Sequence, residues 1–282
     1  MTNTSRRPRI SSKSPLRSWL HIAGVWVVVI IVTLPFFWTL ITSFKSELDA
    51  VQSPPTLFFL PTLQNYFDVV QDDFAGYLTN SIIVTVVTTI LVIVIAFPLA
   101  FALAVKPIRS WRDVLFFLLS TRLMPIGGIV VPLYLVALWL GVLDTHIVLI
   151  VLYTGMNVPI AVWLLRAYLL EISPSVLESA RIDGAGTMTE MFKIALPMIA
   201  PSIAATAALV AIFAWNEFFL AVSLTSIDAG TLPVYLSGFQ SNRGLFLAKL
   251  SAISVLASIP TIIIGWLAQR QLIHGFELGT DR

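Results

Sequence analysis

The chain is 282 residues long, and 57% of its residues are hydrophobic while 11% are charged. Soluble globular proteins carry about 25% charged residues. A mean hydropathy of +0.91 is too high for a soluble domain of this length, so it predicts an integral membrane protein. The sequence contains no cysteine, which excludes a disulfide-stabilised secreted scaffold.

Six apolar stretches are long enough to cross a bilayer, since a spanning helix needs about 20 mostly apolar residues. In chain order they are residues 19–43, 79–105, 114–140, 146–170, 198–223 and 248–268. The sequence thus predicts an all-α membrane protein with six transmembrane helices. Its parts are an N-terminal tail (1–18), a membrane domain (19–268) and a C-terminal tail (269–282). Prolines within the spans predict kinks, and they are Pro98, Pro125, Pro132, Pro159, Pro201 and Pro260.

Basic residues are distributed unevenly between the two ends of this predicted bundle. One end, here called the basic end, comprises residues 1–18, 106–113, 166–197 and 269–282, and the acidic end comprises residues 44–78, 141–145 and 224–249. The basic end holds 13 Lys and Arg residues and the acidic end holds three, with seven acidic residues at each. The net charges are therefore +6 and −4. Because basic residues accumulate on the cytoplasmic side, both termini are predicted to be cytoplasmic.

The loop 171–197 at the basic end is patterned rather than linker-like. Pro174 follows a serine, as at a helix start, and Gly184 is placed to end that helix in the left-handed conformation. Thr187 and Glu190 match a capping box for a second helix. The apolar residues of that second helix recur at helical spacing, and they are Met188, Met191, Phe192 and Ala195. The pattern predicts two short amphipathic helices that either lie at the membrane interface or dock a protein partner.

The same loop resembles the EAA motif of the permease subunits of bacterial ATP-binding-cassette importers. The match consists of Glu178-Ser179-Ala180, Gly184 after three intervening residues, Ile194 after nine more, and Leu196-Pro197. Ser179 replaces the usual alanine, which is a change between two small residues. Other segments resemble signatures of the carbohydrate-uptake branch, namely Pro61 to Tyr66, Asn80-Ser81, Met124-Pro125, Pro132-Leu133-Tyr134, Ala180 to Ala185, Trp215-Asn216-Glu217-Phe218, and His274-Gly275-Phe276 with Gly279.

This resemblance implies a type I importer permease fold with cytoplasmic coupling helices, located in the bacterial inner membrane. It also implies a second homologous permease subunit, two ATPase subunits on the cytoplasmic face and an extracytoplasmic solute-binding protein. The chain has no Gly-x4-Gly-Lys-Ser/Thr loop to bind nucleotide phosphates. ATP and Mg²⁺ are therefore expected on the ATPase subunits, and this chain is expected to bind no cofactor or metal and to have no enzymatic activity. Contact with membrane lipid, and none with nucleic acid, is expected.

The residues predicted to couple this chain to the ATPases all lie in the loop 171–197. Glu178 offers a carboxylate to the ATPase surface, Gly184 makes the turn between the helices, and Met191 and Phe192 provide apolar contact. The full predicted set is Glu178, Ser179, Ala180, Asp183, Gly184, Met191, Phe192, Ile194, Leu196 and Pro197.

Four residues are candidates for the solute pathway or its gate, namely Asn157, Trp215, Asn216 and Glu217. Because an ionisable group within a span is costly, Glu217 is predicted either to face the pathway or to lie at the outer interface with Trp215 as an aromatic anchor. Asn157 is interpreted either as a ligand for a sugar hydroxyl or as a helix–helix hydrogen bond. Arg122 is predicted to snorkel to the lipid phosphates rather than to bind solute.

The predicted function is to form half of the translocation pathway of an ATP-driven importer for a sugar, a sugar derivative or a polyol. The acidic loop 44–78 is predicted to be the docking surface for the solute-binding protein. The alternative is a secondary transporter driven by an ion gradient, which favours carboxylates or histidines near the membrane midplane. A membrane-embedded enzyme is a third class, but the predicted spans contain no clustered catalytic groups.

Overall fold

A computed structural model shows a bundle of helices and describes residues 15–106, 109–241 and 244–277, with the backbone alone in 15–18, 20–21, 240–241, 244–245 and 270–277. The first helices are α1 (Pro15–Ser43), α2 (Glu47–Ala50), α3 (Gln64–Gln71), α4 (Phe74–Ala104), α5 (Trp111–Arg122), α6 (Ile126–Leu140) and α7 (His146–Leu169). They are followed by α8 (Pro174–Ile182), α9 (Thr187–Thr189), a π-helical segment π1 (Glu190–Ala195), α10 (Leu196–Met198), α11 (Ala200–Trp215), α12 (Phe219–Leu224), α13 (Leu232–Gly238) and α14 (Leu247–Glu277). Two short strands, β1 (Gln240–Ser241) and β2 (Gly244–Leu245), pair antiparallel.

The described helices confirm an all-α membrane architecture. Four of them, α1, α4, α7 and α14, are each long and apolar enough to span a membrane. Two further spans occur only as bent pairs. The helices α5 and α6 meet at an angle of 87°, and the segment Thr187–Met198 meets α11 at 77°. The described part of the chain therefore holds four spanning helices, or six if each bent pair is counted as one span.

Both predicted tails are partly helical. The helix α1 begins at Pro15, within the predicted N-terminal tail, and residues 1–14 lie outside the described residues. The helix α14 continues to Glu277 and so includes much of the predicted C-terminal tail. The motif His274-Gly275-Phe276 lies where the backbone alone is described, and Gly279 lies outside the described residues.

Two of the span prolines lie at the two bends. Pro125 directly precedes α6, and Pro201 lies in the first turn of α11. At these positions proline removes no hydrogen bond from the helix that follows. It disfavours the α-helical conformation of the residue before it, and so favours a break there. The remaining span prolines lie inside continuous helices, and they are Pro98, Pro132, Pro159 and Pro260.

A third interruption, between α11 and α12, contains neither proline nor glycine. It consists of Asn216, Glu217 and Phe218. The Glu217 carboxylate accepts hydrogen bonds from the backbone N–H groups of Leu220 and Ala221, at 3.1 to 3.3 Å. These N–H groups at the start of α12 lack carbonyl partners within the helix. The glutamate side chain thus supplies the acceptors that stabilise the restart of the helix.

The helices α4 and α7 form the centre of the bundle, and α11 packs against both. A buried apolar cluster at the basic end includes Phe97 of α4, Leu165 of α7 and Leu177 of α8. The helix α1 packs mainly on α14, and most of its apolar side chains are exposed. Such a helix faces lipid or another membrane subunit rather than the core of its own chain.

At the acidic end, Asp144 fastens the turn between α6 and α7 to the segment that follows α12. Its carboxylate oxygens accept four backbone N–H groups at 2.8 to 3.1 Å, those of Ser226, Ile227, Asp228 and Ala229. Burial alone raises the pKa of Asp144, but these four donors outweigh it and lower that pKa to about 2. Asp144 has a φ of 55°, in the left-handed region that aspartate tolerates better than most residues.

Asn80 and Ser81 of α4 hold the same segment from the other side. Asn80 Nδ2 donates to the carbonyl oxygens of Asp228 and Gly230, at 3.0 and 2.9 Å. Ser81 Oγ accepts the N–H of Leu232 at 2.8 Å. The segment between α12 and α13 is therefore pinned to the bundle by side chains from α4 and from the turn before α7.

Candidate functional site

A cavity of about 440 Å³ lies where the break between α5 and α6 faces the break between α11 and α12. The side of the cavity between these breaks is formed by α7. The polar groups that line it are Arg122, Tyr153, Asn157, Asn216 and Glu217. Irregular backbone is tolerated at membrane depth where it lines such a cavity, so the position of both breaks fits a pathway.

Arg122 ends α5 and extends into the bundle. Its Nη1 donates to the Met156 carbonyl oxygen at 2.6 Å and to Asn157 Oδ1 at 3.4 Å. The guanidinium also lies over the Phe213 ring, 4.9 Å from the ring centroid. Met156 is about 15 Å along α7 from its start, near the middle of that helix. The prediction that Arg122 snorkels to lipid phosphates is therefore wrong.

Asn157 lines the cavity and is 4% exposed. Its Nδ2 donates to the Tyr153 carbonyl oxygen one turn earlier, at 2.8 Å, while its Oδ1 accepts from Arg122 of α5. Asn157 thus links two helices and also borders the cavity, so both interpretations of this residue describe its surroundings. Its role toward a solute remains a prediction.

Glu217 and Asn216 lie in the break after α11 and both border the cavity. The Glu217 backbone carbonyl is 3.5 Å from the Tyr153 hydroxyl, which donates to it. Tyr153 is 1% exposed and was not among the predicted pathway residues. It lies four positions before Asn157 and hence on the same face of α7, which is the signal in the sequence that would have identified it.

Trp215 does not border this cavity. It is 5% exposed, and its Nε1 donates to the Ala257 carbonyl oxygen of α14 at 3.1 Å. It therefore ties α11 to α14 and is not an exposed anchor at the membrane interface. Trp215 also borders a second cavity of about 790 Å³, lined mostly by apolar residues of α1, α13 and α14.

In the loop 171–197, the structure confirms a helix that ends in a turn at Gly184. The helix α8 runs from Pro174 to Ile182, and Gly184 has a φ of 85°. The Gly184 N–H donates to the Arg181 carbonyl oxygen, and the Ala185 N–H donates to the Ala180 carbonyl oxygen. This pairing satisfies the last carbonyls of the helix as in a Schellman motif.

The predicted capping box is wrong, because Glu190 does not return to the start of its own helix. Gly186 precedes α9, where no side chain caps the helix. The Glu190 carboxylate, 1% exposed, accepts from Arg181 Nε at 2.8 Å and lies 3.7 Å from Lys106 Nζ. The hydrogen bond from Arg181 contributes most to holding the pKa of Glu190 below its usual value. Glu190 thus joins α8 and the segment after α4 to π1.

The predicted coupling residues differ in accessibility. Met191 is 6% exposed and belongs to the buried apolar cluster at the basic end, whereas Phe192 is 49% exposed and packs on Phe97. Of the remaining predicted residues, the exposed ones are Glu178, Ser179, Asp183, Gly184 and Pro197, and the partly buried ones are Ala180, Ile194 and Leu196. Between Thr187 and Ala195 the exposed large apolar side chains are therefore Met188 and Phe192, and Met191 is buried.

Comparison with known proteins places this architecture among transport proteins. The chain is 35% identical to "Probable ABC transporter permease protein y4oR" of Sinorhizobium fredii over 90% of this chain and 92% of that protein. It is 31% identical to "Trehalose/maltose transport system permease protein MalG" of Thermococcus litoralis, over 94% of this chain and 96% of that protein. These relatives are transport permeases rather than enzymes.

The fold is also similar to a solved structure. A chain in the "Crystal structure of a bacterial ABC transporter involved in the import of the acidic polysaccharide alginate" superposes with a TM-score of 0.74 at 25% identity, covering 94% of this chain and 99% of that one. The family model described as "Binding-protein-dependent transport system inner membrane component" matches residues 94–273. The chain therefore belongs to the family of inner membrane components of binding-protein-dependent transport systems.

Proposed function

We propose that this chain forms half of the pathway of an ATP-driven importer for a sugar, a sugar derivative or a polyol. The observation that carries the proposal is the cavity between the two helix breaks, where polar side chains gather in the middle of the bundle. Hydroxyl-rich solutes are recognised by such mixed donors and acceptors. The names of similar proteins support this solute class, since they include a trehalose/maltose and an arabinooligosaccharide permease.

A second permease subunit completes the pathway in this proposal. The cavity is bordered by α5, α6, α7, α11 and α12 of one chain, and α1 presents a largely exposed apolar surface at the edge of the bundle. A homologous but non-identical partner, giving a heterodimer, is the arrangement that we favour. The partner would contribute the opposite wall, in keeping with a bundle of six spans that forms half of a channel.

Coupling to the ATPase subunits is proposed to run through α8 and the segment that follows it. Glu178 and Phe192 are exposed there, so a carboxylate and an apolar ring are available to a partner surface. The buried residues Leu177 and Met191 anchor the same segment in the core of the bundle. A displacement imposed by ATPase closure would therefore be passed to α4 and α7. ATP and Mg²⁺ would be bound by the ATPase subunits, and not by this chain.

The acidic end is proposed to face outward and to dock the solute-binding protein. The predicted docking loop 44–78 contains α2 and α3, and Asn65 Nδ2 fixes it to the end of α1 by donating to the carbonyl oxygens of Ser43 and Lys45. Phe58 in this loop is 98% exposed, which leaves an aromatic ring available to a partner. A solved transporter with the same fold, 16% identical to this chain with a TM-score of 0.64, is described as a complex with a periplasmic protein that holds an alginate pentasaccharide.

Uptake by the reconstituted assembly tests the proposed function. The assembly of this chain with its partner permease and ATPases would be placed in liposomes, with the binding protein outside and ATP inside. We expect uptake of labelled saccharide that stops when a non-hydrolysable ATP analogue replaces ATP. Uptake driven by a proton or sodium gradient in the absence of ATP would contradict the proposal and favour the secondary transporter.

A further inference from the structure

The Arg122 guanidinium has one edge that no described residue uses. Both hydrogen bonds of this side chain come from Nη1, to the Met156 carbonyl and to Asn157. Arginine has five N–H donors, so the donors on Nε and Nη2 have no acceptor within the described part of the chain. Because Arg122 lines the cavity and is only half-buried, these donors are accessible to a molecule inside it.

The positive charge of Arg122 forms no direct ion pair with a carboxylate among the described residues. The guanidinium instead lies over the Phe213 ring, 4.9 Å from the ring centroid. Glu217 borders the same cavity, but its two carboxylate oxygens accept the N–H groups of Leu220 and Ala221. An unpaired charge in the interior of a membrane protein is costly, and an anion arriving in the cavity would offset that cost.

A purely structural role explains less of this geometry. Bracing the helix break uses only the bonds that Nη1 donates to the Met156 carbonyl and to Asn157, and it requires neither the positive charge nor the donors on Nε and Nη2. The edge formed by Nε and Nη2 presents two parallel N–H groups, and this spacing matches the two oxygens of a carboxylate. The cavity volume of about 440 Å³ lies within the usual range for small-molecule sites.

We propose that Arg122 binds a carboxylate group of the solute, so that this pathway carries acidic saccharides such as uronic-acid oligomers. The inference rests on the proposed function, which it narrows to one substrate class. In this arrangement the guanidinium holds the carboxylate, and the rest of the solute lies against the polar groups that border the same cavity, namely Asn157, Asn216 and Glu217. Arg122 is then a specificity-determining residue, and the neutral relative of the same saccharide would gain much less from it.

The test compares two substrates that differ only in charge. Uptake of a uronic-acid disaccharide and of the same disaccharide with its carboxyl groups reduced to alcohols would be measured in liposomes with the complete importer and its binding protein. The variants are Arg122→Gln, Arg122→Lys and, as a matched control, Arg166→Gln. Arg166 is likewise a half-buried arginine, in the last turn of α7, but it donates to the Leu103 carbonyl and stacks on Trp111 outside the cavity.

We expect the wild-type importer to take up the acidic disaccharide, and Arg122→Gln to lower that uptake about tenfold, as for the loss of a charge-assisted hydrogen bond. Uptake of the reduced disaccharide should fall much less. Arg122→Lys should retain part of the preference, and Arg166→Gln should leave the ratio unchanged. Wild-type uptake of the neutral sugar alone, or an equal loss of both sugars in Arg122→Gln, would overturn the inference while leaving the proposed function intact. Failure of ATP-driven uptake for every saccharide would overturn both.

Discussion

The Asp144 carboxylate offers a direct measurement of how strongly the acidic end is held together. Asp144→Asn keeps the shape and tolerates the φ of 55°, but it removes the charge and turns an NH₂ group toward backbone N–H donors. Asp144→Gly removes the whole side chain and also relieves the left-handed backbone. The two variants thus separate the loss of the carboxylate from any backbone strain, and both should destabilise the protein.

The size of the effect follows from the pKa of Asp144, which is lowered to about 2. An aspartate in the unfolded chain has a pKa of about 3.9, so linkage assigns about 2.6 kcal/mol to the folded carboxylate before any allowance for solvent. Partial exposure to solvent reduces this to about 1 to 2 kcal/mol. Because the folded pKa is the lower one, this stability is fully present above about pH 4 and is lost as the pH falls toward 2.

Thermal unfolding of the purified chain in detergent, followed from pH 2.5 to pH 7, would measure this contribution. The difference in melting temperature between wild type and Asp144→Asn should be several degrees at pH 7 and should shrink below pH 4. Taking the difference cancels the other carboxylates that titrate in this range. A difference that is absent at pH 7, or that stays constant down to pH 2.5, would refute the assignment of the four N–H bonds to an ionised Asp144.

Two further predictions concern the segment proposed to contact the ATPases. Gly184→Trp places a side chain at a φ of 85°, so it should destabilise the turn by about 1 to 2 kcal/mol and uncouple ATP hydrolysis from uptake. The control Gly186→Trp, at a φ of −78°, should leave the two processes coupled. Normal coupling in assembled Gly184→Trp would contradict this. Glu190→Gln should lower the melting temperature and weaken coupling, because Arg181 loses its partner. Glu178→Gln should weaken coupling without lowering the melting temperature. Equal melting temperatures for the Glu190 and Glu178 variants would argue against a stabilising role of the Arg181–Glu190 ion pair.

The long elements of this fold could be predicted from sequence because each depends on a local signal. The apolar stretches located the spanning helices, and a glycine at the end of a helical pattern located the turn at Gly184, whose φ of 85° few other residues adopt. Of the six span prolines, Pro125 and Pro201 lie at the two bends, and the other four lie inside continuous helices. These features need no knowledge of which segments meet in space.

The errors share a different cause, which is dependence on a partner remote in sequence. Glu190 matches a capping box locally, but Arg181 and Lys106 attract its carboxylate more strongly than its own helix start does. Snorkelling of Arg122 assumes a continuous third span, whereas α5 ends at this residue and its Nη1 donates to the Met156 carbonyl of α7. Trp215 is typical in sequence of an aromatic anchor at the membrane interface, but its Nε1 donates to the Ala257 carbonyl oxygen of α14 inside the bundle.

Several residues that carry the family resemblance hold the fold rather than line the cavity. Asn65 ties the acidic loop to the end of α1, Asn80 and Ser81 pin the segment before α13, and Trp215 joins α11 to α14. A match to such signatures therefore predicts the architecture well and the solute poorly. In the proposal above the solute is bound by residues such as Arg122, whose position beside the cavity follows from the packing of several helices and not from a local sequence pattern.

Glu217 combines both kinds of role, and this explains why the break after α11 occurs without proline or glycine. Its carboxylate replaces the carbonyl acceptors that the N–H groups of Leu220 and Ala221 lack, so the helix can restart. The same bonds hold the Glu217 carboxylate at the start of α12, and it forms no ion pair with Arg122 among the described residues, although both residues border one cavity. If Glu217 turned its carboxylate to Arg122 instead, the N–H groups of Leu220 and Ala221 would lose these acceptors. The restart of α12 therefore depends on Glu217 remaining bonded to its own helix.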